Sequence, residues 1–184
     1  MAKPRREHLL DVAEQLFYRN GFHATGIDAI QAASGVAKTT MYKHFRSKEA
    51  LILAVLARAS ERVRGELERL TAPAKGQGVA RLQRVFEDLD QRCNDDDFNG
   101  CLFNNAAAEF LHLDQGIRDL AVEHMAWMRD FFHRLLSEEG LPNDRTGLLL
   151  ALYEGILVIA RVEQRREIVS DIQQQLPSLL SLTT

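Results

Sequence analysis

The chain has no apolar run approaching the ~20 residues that span a bilayer, and its opening, MAKPRREHLL, lacks the apolar segment of a secretory signal. A cytoplasmic location with no membrane partner is therefore expected. Cysteine is scarce. Cys93 and Cys101 are the only two in 184 residues, too few for a disulfide framework, and in a reducing compartment both are expected to be free thiols. No strand pattern and no internal repeat is visible. The means for catalysis are thinner still: no oxyanion motif, no strand to carry a nucleophile and no definable triad accompany Cys101, so enzymatic activity is not expected. Glu109 and His112 are spaced as metal ligands can be, yet two ligands are not a site. Neither a metal nor another cofactor is expected.

What is present is a globular, helical chain. Hydrophobic residues make up 46 % of it, and they recur at helical spacing through nearly every segment. The expected fold class is all-α, with about nine helices. The formal charge of −3 is unevenly spread. Residues 1–48 carry eight Lys or Arg (Lys3, Arg5, Arg6, Arg19, Lys38, Lys43, Arg46, Lys48) and four acids (Glu7, Asp11, Glu14, Asp28), a balance of +4 that leaves −7 for the remainder. The attraction for a polyanion is thus concentrated in the first quarter of the chain.

The same quarter contains a helix pair. Thr25 and Asp28 have capping-box spacing, which predicts a helix starting beside Gly26. Ile27, Ile30 and Ala33, with Ala32, recur along it until Ser34-Gly35 ends the run. Beyond that turn, Lys38 to His44 is too short to be stable alone. It must lean on its neighbour through Met41 and Phe45, leaving Lys38, Thr39, Thr40, Tyr42, Lys43 and His44 as a donor-rich outer face. Ser47 is placed to cap the next helix, with Lys48 just behind it. Such a pair fits a major groove ~12 Å wide, although basic helix hairpins also occur in proteins that touch no nucleic acid. From Arg5 to Asn20, the stripe Leu9, Val12, Ala13, Leu16 and Phe17 supplies the packing partner, and Gly21 ends that helix.

RREHLLDVAEQLFYRNGFHATGIDAIQAASGVAKTTMYKHFRSKEALILAVL resembles the N-terminal domain of the TetR family of transcriptional regulators. The likeness covers roughly the first 55 residues and includes the A-x-x-L-F-x-x-x-G-F/Y-x-x-T and T-x-Y-x-H-F-x-S-K-E runs. Thr39 departs from it, standing where many members have glycine, so an operator preference cannot be borrowed. The resemblance implies a helix-turn-helix DNA-binding domain over residues 1–48 and a helical effector-binding and dimerisation domain over 49–184. It also implies a homodimeric repressor that a small molecule releases from its double-stranded operator. Thr25, by its hydroxyl or its amide, and Tyr42 and Lys48 are the expected phosphate contacts. Lys38, Thr39, Thr40 and Lys43 are expected at base edges, with His44 able to serve either role.

Residues 47–70 form one long amphipathic helix before the break TAPAKGQG. Later, Thr146 to Val162 is apolar around most of its circumference and carries Gly147, Ala151 and Gly155 four apart. After the charged break 163–167, Ile168, Ile172, Leu176, Leu179 and Leu180 form another stripe, which Pro177 is expected to kink or restart. These two helices have apolar surface to spare, so residues 146–182 are the expected dimer interface. For an effector, Phe86, Phe103, Trp127, Met128 and Phe131 offer apolar wall and His124 a polar contact. GCLFNNAAAEF resembles a G-C-x-x-x-N-x-x-x-E pattern found in part of the TetR family, where this helix borders the effector site. Cys101, Asn105 and Glu109 should then share one face of a helix over residues 100–111. In some members a cysteine near this place reacts with electrophiles, so the alternative is an effector-independent DNA-binding regulator or an electrophile-sensing one acting through Cys101; packing alone remains open for that residue.

Overall fold

The computed structural model describes residues 4–72, 79–164 and 167–181. Among them the chain is all-α: α1 (Arg5–Asn20), α2 (Ile27–Ser34), α3 (Lys38–His44), α4 (Lys48–Thr71), α5 (Ala80–Cys93), α6 (Leu102–Phe110), α7 (Gln115–Glu138), α8 (Thr146–Glu163) and α9 (Ile168–Ser181). One 3-10 turn, Asn143–Arg145, leads into α8. No helix among the described residues is long and apolar enough to cross a membrane. Pro73, Gly76 and Gly78 of the break after α4 lie outside the described residues, as do Lys3 in the basic arm and Arg165 and Arg166 in the later charged break.

The residues fall into two compact units that do not follow chain order. One comprises residues 1–61 with 102–123, the other residues 62–101 with 124–184. The chain passes between them within α4, between Cys101 and Leu102, and within α7. The functional boundary expected after residue 48 is a different kind of division, drawn by role rather than by packing.

In the first unit, α1 buries Leu9, Leu10, Ala13 and Phe17 and ends at Gly21, whose φ of 86° suits a residue without Cβ. Phe17 stacks on Phe22 at 5.1 Å, and Phe22 meets the edge of Phe110 on α6 at 6.0 Å. Arg58 on α4 reaches back to α1, donating to Asp11 Oδ1 at 2.8 Å and Glu14 Oε2 at 2.7 Å. In the second unit, α5 turns Leu82, Val85, Phe86 and Leu89 inward. Phe131, Phe132, Leu135 and Leu136 of α7 and Leu149, Tyr153 and Ile156 of α8 are buried too, and Tyr153 meets the Phe86 and Phe132 rings at 6.4 and 5.8 Å. Buried Arg81 draws the start of α5 onto the end of α4 through Thr71 O (2.7 Å) and onto α7 and its end through Glu138 and Glu139 (2.9 and 2.7 Å).

Two expectations about elements need correction. Of the two effects expected of Pro177, a restart of the last helix is not seen, because α9 runs through it from Ile168 to Ser181. The helix expected over 100–111 begins only at Leu102, which leaves Cys101 ahead of its first turn.

Candidate nucleic-acid interface

The two-helix reader is built from local signals. α2 starts after Gly26 and stops at Gly35, whose φ of 66° lies in the left-handed region and whose amide closes onto Gln31 O at 2.9 Å. α3 follows at once, pinned by Met41 and the adjoining Phe45, both buried. Ser47 caps α4 as expected, its Oγ accepting the Ala50 amide at 3.1 Å.

The outward face matches its sequence reading. Lys38, Thr39, Tyr42, Lys43 and His44 are exposed, and Thr40 is half-buried. Asp28 Oδ1 holds Lys38 Nζ at 2.8 Å; this bond and the field of the carboxylate raise the Lys38 pKa, so the side chain stays cationic while tethered to α2. Lys48 Nζ donates to His23 O at 3.3 Å, which brings its ammonium beside the α1–α2 loop. An open groove lined by Asp28, Gln31, Ala32, Gly35, Val36 and Ala37 runs along α2 and the turn.

Thr25 differs from expectation. It is buried, and its hydroxyl donates inward to Gly21 O at 2.7 Å and Leu16 O at 3.2 Å. There is no capping box: Gly26 is the N-cap, no side chain caps α2, and Asp28 is engaged with Lys38 instead. The Thr25 hydroxyl is therefore withdrawn from phosphate contact, and only its amide is left for that role. Ala32 and Ala33, assigned to the packing stripe of α2, are both exposed, and Ile30 is the residue that α2 buries.

These features together, a short donor-rich helix held against a second across a glycine turn, describe a helix-turn-helix reader. Residues 9–55 match the family model of bacterial regulatory proteins of the tetR family. Residues 78–175, more than half of the chain, match the model of the LmrA/YxaF-like transcriptional regulator C-terminal domain. The chain belongs to the TetR family. It is a DNA-binding transcriptional regulator of that family, whose members are regulators and not enzymes. Among its relatives are the repressor DhaR of Mycobacterium sp. (strain GP1), 27 % identical over 173 residues covering 89 % of this chain and 86 % of that one. The repressor NemR of Escherichia coli (strain K12) is 28 % identical over 172 residues, covering 88 % and 86 %. The fold is likewise that of reduced E. coli NemR, with TM-score 0.88, 22 % identity and 98 % of each chain covered. A TetR-family regulator from Streptomyces coelicolor gives TM-score 0.86 at 24 % identity, covering 95 % of this chain and 93 % of that one.

The residues expected around an effector are distributed over both units of this TetR-family chain. Phe86, Cys101, His124, Trp127, Met128 and Phe131 belong to the second; Phe103, Asn105 and Glu109 belong to the first. Phe86, Met128, Phe131 and Phe103 are buried, as are Asn105 and His124, while Trp127 is half-buried. Trp127 stacks on Phe131 at 5.4 Å, and the Arg64 guanidinium lies over its ring at 5.5 Å. Burial, with the positive charges of Arg64 and Arg92, lowers the His124 pKa to about 4. The ring is therefore neutral at pH 7. Glu109 leaves this set, because both its oxygens are taken within the first unit: Oε1 accepts the Phe22 amide at 2.8 Å and Oε2 the His23 amide at 2.6 Å.

Some polar residues escaped the sequence reading. Arg92 donates to Tyr153 OH at 3.0 Å, and burial pushes the Tyr153 phenol up to about 12. Cys101 lies within electrostatic reach of both. A signal existed for Arg92, since it falls on the apolar face of α5, three and seven residues beyond Leu89 and Val85. Cys93 is of a different kind: burial pushes its thiol up to about 11, which leaves it protonated and unreactive near neutrality.

Proposed function

We propose that this TetR-family regulator acts as a homodimeric repressor that a small molecule releases from its operator. The observation that carries the reading is an uncovered stripe on α8. Gly147, Ala151, Val158 and Val162 are exposed and Gly155 half-buried at intervals of three or four residues, and open space faces both glycines. Val162 is 75 % exposed and Val158 51 %, a poor arrangement for a surface that meets only water. A second copy, packed about a two-fold axis against residues 146–182, would cover the stripe and set two α3 helices on one duplex. Residues 1–48 are then the DNA-binding part and 49–184 the effector-binding and dimerising part. Base edges fall to Lys38, Thr39, Thr40 and Lys43, phosphates to Tyr42, Lys48 and the Thr25 amide, and either to His44.

For the effector we propose a small, largely apolar molecule with one polar end, placed near Phe86, Trp127, Met128 and Phe131 with His124 as the polar contact. α4 contributes residues to both compact units, which supports it as the element whose shift changes the spacing of the readers. A regulator that binds operator DNA would do this work in the cytoplasm. Sedimentation is the test. The wild-type chain should run as a dimer and bind duplex as two chains, whereas Val158→Asp should give a folded monomer with at least ~100-fold weaker operator binding. A dimeric, fully active Val158→Asp protein would refute the interface.

A second reading is favoured by Cys101, which is buried and lies within electrostatic reach of the Arg92 guanidinium. A guanidinium is the partner a thiolate needs, and the relative NemR has been solved in a form described as reduced. On this reading an electrophile, rather than a reversibly bound ligand, releases the DNA. N-ethylmaleimide at pH 7.5 should then add once, at Cys101 and not at Cys93, and abolish operator binding. Full binding after stoichiometric labelling of Cys101 would eliminate it.

A further inference from the structure

Glu109 lies on α6, more than 80 residues from the α1–α2 loop in sequence, yet its carboxylate holds the loop at two successive amides, Phe22 N (2.8 Å) and His23 N (2.6 Å). The grip is reinforced next to it. The His23 ring stacks on Phe110 at 4.6 Å, and its Nε2 lies 3.2 Å from Glu109 O. Gly21 leaves room for the carboxylate, since a Cβ there would come to 3.0 Å from Oε1. On the other side of the loop, Lys48 Nζ donates to His23 O. Residues 22 and 23 are thus held from α6 by two charge-assisted bonds, both shorter than the 3.3 Å Lys48 contact.

We infer that Glu109 is a positioning residue for DNA recognition: through the α1–α2 loop it fixes the attitude of α2 and α3, and it is needed for choosing a sequence rather than for attraction to phosphate. This rests on the DNA-binding reading above. α3 has seven residues and buries only Met41 within its length, so its direction is inherited from α1 and α2, and the loop joining those helices sets their relation. Base-edge hydrogen bonds tolerate little displacement. Lysine side chains on phosphates tolerate more, because their stems are long and flexible and the attraction falls off slowly. Loss of the grip should therefore lower specific binding and spare non-specific binding.

The test uses the full chain and a duplex that the wild-type protein selects from random DNA, with a scrambled duplex as control. Glu109→Gln keeps one acceptor but places an amide NH2 against a backbone N–H. It should bind the selected duplex about tenfold or more weakly and the scrambled duplex within about twofold of wild type, with an unchanged salt slope. Equal losses on both duplexes, or no loss on either, would overturn the inference; the latter is also what a ligand-holding Glu109 would give in the absence of ligand. Should Glu109→Gln fail to fold, amide exchange in the wild-type protein decides. Phe22 and His23 should be slowed more by the selected than by the scrambled duplex, and equal protection by both would overturn the proposal. A wild-type chain that discriminates between no duplexes would instead count against the DNA-binding reading itself.

Discussion

At the scale of the residue, the proposed contacts divide the reader into groups that attract and groups that discriminate. Lys48 is beside the α1–α2 loop and, with its ammonium near His23 O, is suited to a phosphate and carries no base information. Lys48→Ala should weaken binding to all duplexes alike and reduce the log–log salt slope by about 1 for each contact, about 2 for a dimer. Thr40→Ala should leave the slope alone and alter base preference at one position of each half-site. Binding series over salt on a panel of duplexes would check both, and an unchanged slope for Lys48→Ala would count against its assignment. His124 gives a prediction of another kind. Its pKa is lowered to about 4 in the folded chain from 6.5, so between those values only the unfolded chain takes up the proton. Its contribution to stability is complete above about pH 6.5, falls as pH falls through the window, and changes no further below about pH 4. The size is at most about 3 kcal/mol. Denaturant unfolding at pH 7.5 and 5 should show a smaller loss for His124→Asn than for wild type, and equal losses would contradict it.

At the scale of the element, the parts read correctly from sequence are those determined by neighbours a few residues away. The bounds of α1 and α3, the stop at Gly35 and the cap at Ser47 all follow from local periodicity and turn chemistry. Thr25 shows how a local pattern misleads. Its spacing to Asp28 satisfies the capping-box rule, yet the hydroxyl finds acceptors at Gly21 and Leu16, on and just beyond the end of the preceding helix. Glu109 shows the reach of the same limit, since helical spacing groups it with Cys101 and Asn105 while its partners lie at Phe22 and His23. Pro177 is accommodated inside α9 without ending it. Buried Leu176 and Leu180 flank it, and their packing helps to offset the backbone bond that proline cannot make.

At the scale of the whole molecule, the central claim is that two chains present two α3 helices to one duplex. The charge balance suits this, with +4 on residues 1–48 against −7 on the rest, and the exposed α8 stripe is the surface proposed for pairing. A two-fold pair imprints its symmetry on the DNA it prefers. The most direct measurement is selection of bound fragments from random duplex DNA by the full-length protein, followed by sequencing. Expected is an inverted repeat whose half-sites lie about one helical turn, ~34–36 Å, or a compatible spacing apart. A single unrepeated site, or no enrichment at low ionic strength, would contradict the claim.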